Sequence, residues 1–445
     1  MRVVIAGAGA VGTHLARLLS IENQDVTLID PDKERLDFAR NNLEMITMIG
    51  SATSLYDLNE IGVSKADLFI AVTPEESVNI TACMLASKMG AKKTFARIDN
   101  YEYLLPRNKE FFENLGVHLM VYPEMLAAKE IVSDIKRPWA RLWVELCGGA
   151  IILVGVKVHA GAPLVDKHLY ELGNEMKKFH IVAIKRDNLT IIPRGNHLIQ
   201  DGDVLFFTVT RDSVDEIPIV TGKEIYDIKH VMIMGGSRIA LRTCEYLPDN
   251  IKIKLLEFDK EKAQKLLEKV PKNVTVYYDD GRNADALIQE GIDDTDAFIA
   301  VTGNSEANIL ACLTAKRFGV YKTIAEVENM DYISMAENLD IGNIINKKLI
   351  TVNNIYRFLL NADVSSIKSL TVANADVAEI IARPNSRITK KEIKQITLPP
   401  NVTLGGLIRN GQAMMIEGNT IIEPYDQVVV FCVESALKEA EKLFH

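Results

Sequence analysis

Cysteine is scarce in this chain of 445 residues: there are five, an odd number, and no CxxC spacing. Neither a disulfide framework nor a zinc site follows from such a set, and Cys83, Cys147, Cys244, Cys312 and Cys432 are expected as buried, reduced thiols. The eight histidines show no HxxxH or HExxH spacing, so no metal site is expected. Long apolar runs are missing as well. AIILVGV (150–156) and VVVFCV (428–433) fall far short of the roughly 20 residues that span a bilayer. The opening MRVVIAGAGAVG lacks the apolar core of a signal peptide and enters a strand-like run at once, so a cytoplasmic chain is expected. Positive charge is in deficit, with 51 Lys and Arg against 60 Asp and Glu and a net charge of -9. That balance argues against a nucleic-acid partner, which would need basic residues clustered on one face.

What is present is ample apolar material, 48% of residues with 25% charged, at a length that implies about three or four globular domains. The chain also repeats itself. ADLFIAVT (66–73) recurs as TDAFIAVT (295–302), and at the same offset of 229 Asn79 matches Asn308, Cys83 matches Cys312 and Gly90 matches Gly319. At an offset of 228, Gly7 matches Gly235. Two tandem halves of about 220 residues result.

Within the first half, short β-branched runs (VVIAG, DVTLID, EMITMIG, DLFIAVT, KTFARI, VHLMVYP) alternate with amphipathic stretches, among them a helix from about Glu76 to Met89. Such alternation predicts a parallel sheet with crossover helices on both faces. Past Lys136-Arg137-Pro138-Trp139 the pattern changes to strands separated by Gly, Asp and Asn, which predicts a small α+β domain. PRGNHLIQDGDVLFF (193–207) parallels IEGNTIIEPYDQVVV (416–430), so the small domain is repeated too. The expected fold class is α/β, with two Rossmann-like doubly wound parallel-sheet domains, at 1–137 and 223–362, each followed by a small domain, at 138–222 and 363–445.

The sharpest motif is Gly7-Ala8-Gly9-Ala10-Val11-Gly12, which follows the strand at Val3–Ala6 and opens a helix. Gly7 would permit the tight turn, Gly9 the approach of a pyrophosphate, and Gly12 close packing of helix on strand. Asp30, 18 residues past Gly12, would accept the ribose hydroxyls and repel a 2'-phosphate. The second copy reads Gly235-Gly236-Ser237-Arg238-Ile239-Ala240, with Glu257 in place of Asp30 and Glu326 in place of Arg97. Ser237 takes up room where the diphosphate should approach, Arg238 offers compensating charge, and the two sites are expected to bind unequally. An NAD-dependent oxidoreductase would need a proton-transferring group as well. The first small domain offers His159, His168, His180 and His197, but the repeat does not retain them, Thr420 standing in place of His197. A pure assembly scaffold, with both loops empty, is the other alternative.

The combination of glycine loop, acidic strand end, A-V-T strand with Asn six residues on, and trailing β-rich domain, twice over, resembles the TrkA-like cytosolic regulatory subunits of Trk potassium-uptake systems, built of RCK (KTN) domains. The resemblance covers Met1 to about Leu443. It implies a regulator, not an enzyme, that binds NAD(H), ATP or ADP as effectors, forms a homo-oligomer, expected as a tetramer, and docks on the cytoplasmic face of a TrkH-like or TrkG-like potassium-translocating membrane subunit. It further implies that the loop Gly7–Gly12 holds phosphates, Asp30 the ribose, Ser51 and Ala52 the adenine side, Thr73 and Pro74 the far end of the ligand, and Arg97 a phosphate. Gly235, Gly236, Ser237, Arg238, Ile239, Glu257, Asp280 and Thr302 are the second copy's set. The family's Gly-Asp after the third strand departs in both copies, to Gly50-Ser51 and Asp279-Asp280.

Overall fold

A computed structural model describes residues 1–21, 24–42, 45–187, 189–357, 364–370, 375–433 and 436–445. The first sheet contains β1 (Arg2–Ala6), β2 (Asp25–Asp30), β3 (Ile46–Ile49), β4 (Leu68–Ala71), β5 (Lys93–Arg97) and β6 (Leu119–Val121) in the order β3-β2-β1-β4-β5-β6, every neighbouring pair parallel. Its central strands read as continuous apolar runs because helices cover both faces: Val3, Val4, Ile5 and Ala6 are fully buried, as are Phe69, Ile70 and Ala71. Strand order reverses between β1 and β4, and the crevice at that switch point is where open α/β sheets take ligands.

The next sheet is antiparallel. β7 (Leu142–Leu146), β8 (Ile151–Lys157), β9 (Phe179–Arg186), β10 (Leu189–Ile191) and β11 (Val204–Thr210) run in the order β10-β9-β11-β8-β7. The third sheet repeats the first with β12 (His230–Met234), β13 (Lys252–Glu257), β14 (Val274–Tyr278), β15 (Ala297–Ala300), β16 (Lys322–Glu326) and β17 (Asn343–Ile345) in the order β14-β13-β12-β15-β16-β17. The fourth repeats the second with β18 (Val364–Leu370), β19 (Ala375–Ile381), β20 (Val402–Arg409), β21 (Gln412–Met414) and β22 (Gln427–Val433), in the order β18-β19-β22-β20-β21. The expected α/β class and the double repeat are both present.

The chain packs as two compact units that do not follow its halves. One comprises Met1–Lys129, Arg238–Thr243 and Ile345–Phe358; the other comprises Glu130–Ser237, Cys244–Ile344 and Leu359–His445. In the first unit, the helix Lys347–Arg357 packs against the helix Ala10–Ile21 that the glycine loop opens. In the second, the two antiparallel sheets share a core in which Phe206 meets Phe431 at 6.3 Å between ring centroids. There Thr208 Oγ1 donates to the Gly405 carbonyl at 2.7 Å, and a Cβ on Gly405 would lie 2.6 Å from Thr208 Cγ2. No helix among the described residues is long and apolar enough to cross a membrane.

Candidate functional site

The three glycines of the first loop sit in three different steric situations. Gly7 adopts φ +109°, and a Cβ there would lie 3.1 Å from the Thr73 nitrogen and from the Val72 carbonyl oxygen, so the turn needs glycine for both conformation and space. A Cβ on Gly12 would lie 1.9 Å from the Gly7 carbonyl oxygen, so the helix closes on the turn only because that position is bare. Gly9 is the contrast: a Cβ there would meet nothing within 4 Å. Protein packing therefore does not demand glycine at 9, whereas a diphosphate approaching the backbone at the start of a helix would.

Around this loop the carboxyl ends of the parallel strands bring the other candidates. Asp30 ends β2 and is only 6% exposed; its two oxygens accept from the amides of Ala8, at 2.6 Å, and Asp32, at 2.8 Å. Each carboxylate oxygen keeps a second lone pair, the acceptor capacity that a ribose hydroxyl uses. Ser51 and Ala52 follow β3, and the Ser51 amide donates to Asp57 Oδ2 at 2.8 Å. The carboxylate that the Gly50-Ser51 turn lacks in sequence thus comes from Asp57, six residues on. Thr73 and Pro74 follow β4. Asn79 fixes Thr73 by accepting from its amide at 2.9 Å and its hydroxyl at 2.7 Å, and donates to the Arg97 carbonyl at 3.0 Å, which ties the exits of β4 and β5 together. Arg97 ends β5 with its guanidinium 3.4 Å from Asp99.

The second loop repeats the backbone and changes the chemistry. Gly235 has φ +99° and packs on Thr302, while Asn308 repeats the Asn79 pattern, from the Thr302 amide and hydroxyl to the Glu326 carbonyl. Glu257 is 1% exposed and accepts from the Gly236 amide at 2.9 Å, as Asp30 does from Ala8. Unlike Asp30, it also pairs with Lys262 at 2.7 Å. Burial pulls the Glu257 pKa up, but Lys262 with the Asp259 and Gly236 amides outweighs burial and leaves it below the ordinary carboxylate value. Asp280 pairs with Arg282 at 2.7 Å. Glu326, at the end of β16, is a buried acid where the first half has Arg97. Arg238 and Ile239 open the helix Arg238–Tyr246. The Arg238 guanidinium lies 3.2 Å from Asp99 and 3.4 Å from Glu124, so two carboxylates of the first unit already engage its charge.

Three of the candidate histidines, His168, His180 and His197, are engaged locally. His197 Nδ1 accepts from the Arg194 amide at 2.9 Å, and Thr420 Oγ1 accepts from the Glu417 amide at 2.9 Å in the matching turn. His168 stacks on Tyr170, and burial holds His180 down at a pKa of about 4. Cys83 and Cys312, both fully buried, donate weakly to the Phe95 and Ile324 carbonyls. Sequence reasoning missed Asp57, Lys262 and Asp99, as well as a repeated clamp in the small sheets. Arg186 holds Asp203 and the Leu198 carbonyl, and Arg409, 223 positions on, holds Asp426 and the Ile421 carbonyl. The equal spacing in both small domains was the available signal for that clamp.

Fold and loops together define a class: a tandem Rossmann-type protein in which each large parallel-sheet region is followed by the same five-stranded antiparallel sheet. Solved structures of this architecture include the GsuK RCK domain, 16% identical at a TM-score of 0.61 with 100% of this chain and 94% of that one covered. Another is the GsuK channel bound to NAD, 15% identical at 0.61 with 100% and 78% covered. The TrkA-N domain matches residues 3–123 and 231–347, and the TrkA-C domain matches 153–217 and 377–445. The chain belongs to the TrkA family. Curated relatives named Trk system potassium uptake protein TrkA include those of Haemophilus influenzae, 30% identical, and Halomonas elongata, 29% identical, each covering 100% of this chain and 98% of the relative.

Proposed function

We propose that this chain is a nucleotide-sensing regulatory subunit of a potassium-uptake system and that its ligand acts as an effector, not as a redox cosubstrate. The observation that carries this reading is Gly9, bare where packing does not require it, beside a buried Asp30 with acceptor capacity to spare. In this reading Gly7, Ala8, Gly9, Ala10, Val11 and Gly12 receive the phosphates, Asp30 the ribose, Ser51 and Ala52 the adenine side, Thr73 and Pro74 the far end, and Arg97 a phosphate. NAD(H), ATP and ADP are the effectors considered. The second set, from Gly235 through Ile239 with Glu257, Asp280 and Thr302, binds more weakly, because Ser237 narrows the approach and the buried acid Glu326 stands where the first half has Arg97.

Domain limits at 137, 222 and 362, a homotetramer, and a cytoplasmic position against a TrkH-like or TrkG-like membrane subunit belong to the same proposal. The alternation of TrkA-N and TrkA-C matches supports the four-domain order, and the relatives' names support a partner in potassium uptake. An effector shifts a conformational equilibrium only by binding one state better than the other, so ligands that differ at the Arg97 end would favour different assembly geometries. Titration of the purified chain with labelled NAD, NADH, ATP and ADP tests the reading. Submillimolar affinity for at least one is expected; binding of none of them above background at millimolar concentration contradicts it.

A further inference from the structure

A seam in the second unit gathers more positive charge than it neutralises. Asp340, just past the helix Met330–Asn338 and at φ +52°, pairs with Arg141 before β7, with Lys157 at the end of β8 at 3.1 Å, and with Lys316 of the helix Ser305–Arg317 at 3.0 Å. Burial opposes the Asp340 carboxylate, but Arg141, Lys316 and Lys157 outweigh it and hold its pKa far below the ordinary range. Within the field of Arg141, Asp340 and Lys157 stands Lys223, half-buried, and among the described residues no ion pair of Lys223 occurs. Of the other acids, Glu337 pairs with Lys185 at 2.7 Å, while Asp201 faces His159 and accepts from the Ala160 amide. Four cations, Arg141, Lys157, Lys316 and Lys223, against the two carboxylates Asp340 and Asp201 leave two positive charges uncompensated.

Half-burying an ammonium beside two further cations is costly unless an anion accompanies it. The groups that can respond do so: burial, then Arg141, lowers the Lys223 pKa, and burial, then Lys223 and Lys157, lowers that of His159. Arg141 spends donors on the Gly342 carbonyl and on Asp340, and a guanidinium with five N–H groups keeps others. We infer that this seam is a binding site for a phosphate-type oxyanion, held by Lys223 together with Arg141, Lys157 and Lys316. A phosphate group carries about -1.5 to -2 charge near neutral pH, which suits the deficit better than a halide, and its oxygens can take donors arriving from separate elements. The phosphoryl group could belong to free phosphate or to a nucleotide, and the anion would pin the first small sheet to the second large one.

Thermal unfolding of the full-length chain in phosphate and in chloride at equal ionic strength tests this. Phosphate is expected to raise the wild-type unfolding temperature by roughly 1–2 °C at a tenfold excess over its Kd. Lys223→Gln is expected to unfold above wild type in chloride and to ignore phosphate. Equal unfolding temperatures of wild type in the two salts, or a Lys223→Gln variant that loses stability equally in both, would overturn the site. ATP added to Gly9→Asp separates the sources without relying on the glycine loop. Stabilisation by ATP that Lys223→Gln abolishes assigns the nucleotide, and stabilisation by inorganic phosphate alone assigns the free anion.

Discussion

In the first half, Gly9 faces open space and the Asp30 carboxylate rests on two backbone amides; in the second, Ser237 stands at the same place and Glu257 is also gripped by Lys262. Arg97 ends the fifth strand of one sheet and Glu326 that of the other. The backbone devices are common to both: positive φ at the first glycine, the Asn79 and Asn308 bridges, and the amide contact to the acid at the second strand's end. A duplicated fold can thus hold its frame while the groups that meet a ligand diverge. One exchange shows frame and site being adjusted together. Where the first half has Ala8, the second has Gly236, and a Cβ on Gly236 would lie 2.3 Å from Leu266 Cδ1 and 2.9 Å from Glu257 Oε2.

The comparison can be broken most severely at Gly12. Gly12→Val should destabilise the first half by about 3 kcal/mol, since its Cβ collides with the Gly7 carbonyl and no side chain there can yield. Denaturant melts would read this. His180, matched by Thr403 in the other small sheet, sharpens the contrast through pH. Its pKa of about 4 in the fold lies below the ordinary 6.5, so the unfolded chain binds more protons between those values and stability falls as pH drops from about 6.5 to 4. A loss of about 1–3 kcal/mol over that window is expected, and His180→Thr should flatten it.

A smaller effect, about 1 kcal/mol near neutral pH, is expected for Lys262→Met, because Glu257 keeps its amide partners. The Glu257 pKa is depressed in the fold, so its contribution is present above the ordinary carboxylate range and disappears as pH falls; the variant should lose less on acidification. Ala240→Gly in the second loop should cost only about 0.5–1 kcal/mol, the price of glycine near a helix start, far below the penalty at Gly12.

Much of this was legible because it is local or periodic. The alternation of short β-branched runs with amphipathic stretches announced a parallel sheet, and the glycine spacing announced the loop, since Gly12 closes on Gly7 within the turn itself. What was not legible depends on pairings that spacing does not encode. Asp57 replaces a missing turn carboxylate only because the following helix returns it to Ser51. Lys262 reaches Glu257 only because the helix capped by Asp259 turns it back toward the strand end. The compact units also exchange segments, Arg238–Thr243 and Ile345–Phe358 packing with the first large region, and a linear reading of tandem halves does not anticipate that.

The inequality of the two loops is tested most directly by calorimetric titration of wild type, Gly9→Asp and Ser237→Asp with whichever of NADH and ATP binds wild type more tightly. A carboxylate at position 9 points into open space, so it should leave the fold intact while repelling the diphosphate; affinity is expected to fall by at least about 100-fold, with Ser237→Asp near wild type. Full binding by Gly9→Asp, with loss in Ser237→Asp, would contradict the assignment of the principal site to the first loop.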